Sequence, residues 1–125
     1  MKKTIILIIA IILGLVCYQK FNEHRIIKSF NTETLYVFSQ ESCGHCHSAL
    51  SFIDSKVRLS YPTLKVEVLD IKKDGNYGKL LTVAKAYGLD IKALGTPVLL
   101  FNEQTIIGWG AKSEEKLLKL LGKKS

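Results

Sequence analysis

Methionine and tryptophan occur once each in these 125 residues, proline twice and cysteine three times. Met1 stands ahead of an apolar segment, so no methionine elsewhere could serve as an axial ligand to a haem iron. Beyond Cys17, Cys43 and Cys46 there is no second cysteine pair to complete a closed four-ligand zinc site. No internal repeat or low-complexity segment is present, and the length allows one modest core rather than two. Acidic residues are outnumbered, giving a net charge of +7. Setting aside Lys2, Lys3 and Lys20 as part of the N-terminal segment, the 18 basic residues become 15 against 11 acidic ones, a mild +4. These charges are spread over predicted helices and the C-terminal lysines with no aromatic interleaving, so a nucleic-acid partner gains no support and solvated faces explain them.

The N-terminus reads Lys2-Lys3, then an apolar run from Ile5 to Val16, then Cys17-Tyr18-Gln19-Lys20. Basic residues followed by such a run make an export signal. The run falls short of the roughly 20 residues that span a bilayer comfortably. Thr4, Tyr18 and Gln19 extend it, however, and Lys3 and Lys20 can snorkel to the headgroups. No small-x-small cleavage pattern follows. Residues 1–20 are therefore read as a retained signal anchor crossing the membrane through residues 4–19, with a cleaved signal peptide as the alternative. Val16 occupies the place where a lipoprotein signal wants a small residue, which disfavours a lipid on Cys17. Positive charge stays in the cytoplasm, so the remainder is expected outside, in the periplasm or at the cell exterior, where disulfide exchange has clients. Residues 21–33 form a linker in which Ile26, Ile27 and Phe30 can line one side of a short helix, and residues 34–125 form the domain.

The chemistry is concentrated in Cys43-Gly44-His45-Cys46. Two thiols separated by two residues can close a small disulfide ring and reopen it by exchange with another protein. Thr34 to Ser39 is a β-branched and aromatic run, and Ser48 to Leu59 places Leu50, Phe52, Ile53 and Val57 at helical spacing. A strand thus runs into a helix whose first turn holds the cysteines. The unpaired amides and positive dipole end of that helix favour an anion, so Cys43 should ionise more readily than the roughly 8.5 of a free thiol. Two other readings use the same residues. Cys43-Gly44-His45-Cys46-His47 spells a c-type haem attachment signature, with His47 as one axial ligand and His24 left for the other face. A metal carrier could be built on Cys43, Cys46 and His47, one ligand short of a closed zinc site.

Downstream, Leu64 to Asp70 alternates as a half-buried strand. Lys72-Lys73-Asp74-Gly75 is turn-like, and Tyr77, Leu80, Leu81, Ala84 and Tyr87 recur at helical spacing until Gly88. Pro97 to Phe101 and Thr105 to Trp109 make a hairpin around Asn102-Glu103-Gln104. Ser113-Glu114-Glu115 opens a final helix bearing Leu117, Leu118, Leu120 and Leu121, acidic at its start and basic near its end. The order is β-α-β-α-β-β-α, an α/β arrangement with a mixed four-stranded sheet: the first two strands, joined by a helix, are expected parallel and the last two antiparallel.

That order, with the dithiol after the first strand, resembles the thioredoxin superfamily from Thr34 to the C-terminus. The resemblance implies that Pro97, in Gly95-Thr96-Pro97, is a cis-proline beside the cysteines. It also implies that the backbone of Thr96 receives an extended client segment by strand addition. Gly44-His45 matches the intervening pair typical of eukaryotic protein disulfide isomerase, and His45 stands where thioredoxin has proline. The pair is thereby implicated in tuning the Cys43 pKa and the reduction potential, expected between about −270 and about −120 mV. Val37-Phe38-Ser39, His47 and Gly95-Thr96-Pro97 are similar to bacterial periplasmic disulfide isomerases. Where thioredoxins carry a buried acid six residues before the first cysteine, this chain has Val37. Within its length there is no room for the dimerisation domain of those isomerases or for their helical insertion, and a monomer is expected. The implied activity is thiol–disulfide oxidoreduction without a cofactor or metal. Its expected partners are thiol- or disulfide-bearing client proteins and a membrane-bound or soluble redox partner.

Overall fold

The computed structural model describes residues 1–124, apart from the side chains of Glu23 and Lys124, and divides into two compact units at Phe30. The first unit is one helix, α1 (Lys2–Ser29), 28 residues long and apolar enough to cross a membrane. It does not break at Lys20. Residues 21–29 contain neither proline nor glycine, so nothing local stops the helix until Phe30 adopts an extended backbone (φ −81°, ψ 120°). The segment expected as a linker from residue 21 is mostly a continuation of the apolar helix.

In the second unit, β1 (Thr34–Ser39) leads to α2 (Gly44–Phe52), a π turn (Ile53–Val57) and a closing helical turn, α3 (Arg58–Ser60). β2 (Lys65–Asp70), α4 (Asn76–Ala86), a 3-10 turn (Ile91–Ala93), the hairpin strands β3 (Val98–Phe101) and β4 (Gln104–Ile107), and α5 (Ala111–Lys124) follow. The four strands lie in the order β2-β1-β3-β4. β1 runs parallel to β2 and antiparallel to β3, and β3 is antiparallel to β4. This mixed sheet with helices from both crossovers and the C-terminus is the thioredoxin-like fold.

β1 lies between two neighbours, and all six of its residues are buried, which explains its nearly unbroken apolar run. Leu35 and Val37 join Leu99, Phe101 and Ile106 from the hairpin, Phe52, Ile53 and Val57 from the motif helix, and Leu117 and Leu121 from α5 in one core cluster. By strand alternation Tyr36, Phe38, Val98 and Leu100 face the other way and are also buried, as are Leu80, Val83 and Ala84 of α4. β2 departs from the expected half-buried alternation: Leu69 is buried, but Val68 is 45% exposed, since an edge strand has a neighbour on one side only. α4 ends as its glycine suggests. Gly88 takes φ +69°, and the Leu89 amide returns to the Ala84 carbonyl at 2.8 Å. α5 begins two residues before the expected Ser113, and Trp109 leaves the hairpin to pack its ring 5.4 Å from that of Phe52.

Candidate functional site

β1 delivers the chain to the C-terminal edge of the sheet. There a turn closes with the Cys43 amide donating to the Gln40 carbonyl at 3.1 Å, after which α2 begins. Cys43 is the N-cap of that helix rather than a member of its first turn. Its extended backbone (φ −97°, ψ 109°) turns the sulfur back over the free amides, and Sγ accepts a hydrogen bond from the Cys46 N–H at 3.2 Å. A thiol here fills the role that serine or aspartate usually takes at such caps. Cys46, three residues on, faces inward and is 1% exposed, whereas Cys43 is half-buried. Both are free thiols.

The second contribution comes from far along the chain. β3 pairs with β1 through Phe38 and Val98, and that register, run on by two residues, sets Thr96 level with Gln40. The Thr96–Pro97 peptide is cis, Pro97 is buried, and the Cys43 thiol donates to the Thr96 carbonyl at 3.4 Å. Thr96 contributes more than the backbone that sequence reasoning assigned to it, because its side chain also favours the thiolate form at both cysteines.

The two thiols are electrostatically unlike. Burial opposes ionisation of Cys43, but hydrogen bonds from the Cys46 thiol, the Thr96 side chain, and the amides of Cys46 and His45 outweigh it and hold the Cys43 pKa below its ordinary value. Burial also dominates at Cys46. There Cys43 adds to it as hydrogen-bond partner and as charge, and the Cys46 thiol is pushed up against weaker opposing bonds from Thr96 and the Gln40 backbone. Ionisation is thus favoured at the outer sulfur and opposed at the inner one. Val37, where a buried acid was looked for, is fully buried and has no ionisable group to offer.

Gly44 and His45 are exposed on the first turn of α2; His45 acts on Cys43 through its backbone amide. His47 is exposed, but its ring is engaged, with Nε2 2.8 Å from the Glu41 carbonyl. No sequence signal pointed to this contact, because its other half is a backbone group. Among the described residues no three His, Cys, Asp or Glu side chains converge as metal ligands. Haem attachment needs both sulfurs to reach the edge of one macrocycle, and Cys46 lies under the helix with almost no open surface.

No family model matches this sequence, and no curated protein sequence matches it. Among solved structures the chain is similar to a glutaredoxin from Archaeoglobus fulgidus. The two are 22% identical, with a TM-score of 0.46, over 70% of this chain and 84% of that one.

Proposed function

We propose that this chain is a membrane-tethered thiol–disulfide oxidoreductase acting on client proteins outside the cytoplasm. The carrying observation is the asymmetry of the dithiol: a half-buried Cys43 whose thiolate is favoured at a helix N-terminus, backed by a buried Cys46 that keeps its proton. The Cys43 thiolate attacks one sulfur of a client disulfide, forming a mixed disulfide and expelling the other client sulfur as a thiolate. Cys46 then loses its proton and attacks Cys43 Sγ, which releases the second client thiolate. The client gains two electrons, and the enzyme is left with a Cys43–Cys46 disulfide that a membrane-bound or soluble redox partner must reduce. With the partner and client exchanged, the same steps run in reverse.

Thr96 supports client binding in this reading. A client strand lying antiparallel beside Gly95-Thr96-Pro97 would compete for the carbonyl that the Cys43 thiol otherwise occupies. The tether and compartment rest on α1, with Lys2 and Lys3 at its start. The protein acts as a monomer without a metal or cofactor.

The test uses the full chain in detergent with an insulin-type disulfide and a small dithiol as reductant. Wild type turns over, Cys43→Ser does not, and Cys46→Ala accumulates a reducible adduct through Cys43. An inactive wild type, or adducts formed through Cys46 or Cys17, would overturn the reading. In cells, an impermeant thiol reagent should reach Cys43 without lysis. Protection until the membrane is broken would reverse the compartment.

A further inference from the structure

The bonds made within the turn that carries Cys43 into the helix leave its central peptide unheld. The Cys43 amide reaches the Gln40 carbonyl at 3.1 Å, and Gln40 Nε2 donates to Ser42 Oγ at 3.1 Å. Neither bond involves the central peptide, the one between Glu41 and Ser42, which is the unit that rotates when a β-turn changes type. The His47 ring reaches across to that peptide, with Nε2 2.8 Å from the Glu41 oxygen. A carbonyl oxygen has only lone pairs to offer, so Nε2 carries the hydrogen and donates, leaving Nδ1 without a proton in the neutral ring. His47 is itself anchored to the same corner, its own amide donating to the Cys43 carbonyl at 3.2 Å.

We propose that His47 is a positioning residue: its ring holds the central peptide of the Gln40–Cys43 turn and thereby fixes where Cys43 Sγ stands at the end of α2. The 3.2 Å bond from the Cys46 amide to that sulfur depends on the Cys43 backbone staying extended, and the turn sets that backbone from the N-terminal side. Release of the Glu41 peptide lets Ser42 and then Cys43 rotate away from the helix amides, and the thiolate loses stabilisation. His47 touches neither sulfur in this scheme. Its effect travels through one peptide plane, and it needs a donor at the Nε2 position rather than a positive charge.

This inference rests on Cys43 as the nucleophile of the proposed exchange, yet its test is independent of turnover. The full chain in detergent carries Cys17→Ser in every form, and the rate of Cys43 alkylation is followed against pH. His47→Ala should shift the profile to higher pH and lower the thiolate fraction on its acidic limb about threefold, the size of one exposed hydrogen bond. His47→Gln, which keeps a donor near the same place without a charge, should restore most of that loss. Nitrogen NMR of the wild-type ring should show the Nε2–H tautomer. A profile unmoved in His47→Ala, a Gln variant no better than the Ala variant, or a neutral ring protonated at Nδ1 would each overturn the assignment. If the profiles behave as described while wild type fails to reduce insulin, the oxidoreductase reading fails and the positioning role stands.

Discussion

The Cys46 amide donates to Cys43 Sγ at 3.2 Å while the Cys46 side chain lies buried, so one residue stabilises the outer sulfur with its backbone and keeps its own thiol from solvent. A helix N-terminus makes this division of labour inexpensive, because its amides have no helical partners. The pH behaviour of the two thiols follows from it.

A lowered pKa at Cys43 means that its thiolate persists to lower pH than in an ordinary cysteine. Alkylation of Cys43 should therefore reach half its maximal rate below the usual thiol value of about 8.5. The raised Cys46 pKa predicts that this thiol stays unmodified until the pH passes that value. Mass spectrometry of alkylated peptides across a pH series separates the two, and equal labelling of both sulfurs at neutral pH would contradict the assignment.

A carboxyl installed at Val37, where thioredoxins carry a buried acid, should destabilise this core. Val37 is fully buried in the core, so Val37→Asp places a carboxyl where burial raises its pKa above the unfolded value of about 3.9. The neutral acid is the form that fits. The variant's stability is thus greatest below the unfolded value and falls as pH rises through the folded one, with a deficit near neutrality of about 2–5 kcal/mol. Urea unfolding at acid and neutral pH measures it, and a deficit that does not grow with pH would show that the carboxyl reaches solvent.

The β3–β4 turn carries avoidable strain. Asn102 and Glu103 both have left-handed backbones, φ 48° and 64°, as a two-residue hairpin loop requires. Asparagine tolerates this conformation and glutamate does not. Glu103→Gly should therefore stabilise the fold by about 1 kcal/mol, less the backbone entropy that glycine adds to the unfolded chain. A thermal melt that moves down, or not at all, would count against the turn geometry.

The unit from Asn31 onward contains its own core cluster and should fold without α1. Removal of residues 1–30 is expected to leave a water-soluble protein with a single cooperative transition and the same Cys43 alkylation profile. The sole tryptophan reports on it: Trp109 packs on Phe52, and its emission should shift to the red in one step with urea. A gradual shift, or loss of the alkylation profile, would mean that the helix is needed for folding.

Local features of the chain were readable without coordinates. β1 starts and ends where its β-branched and aromatic run does, α4 stops at its glycine, and the dithiol falls at a strand-to-helix corner, because periodicity, φ-permissive residues and motif spacing act over a few residues. Other features needed tertiary contacts. The π turn at Ile53–Val57 falls inside a helical pattern that composition does not interrupt. The exposure of Val68 depends on β2 ending the sheet. At the site, sequence identified the two cysteines and their neighbours, but not which sulfur would be buried in the assembled core. Thr96 lies 53 positions from Cys43 and reaches it only because β3 aligns antiparallel to β1 in one register. The His47 contact is out of sight for a simpler reason: its partner is a backbone carbonyl, and every residue has one.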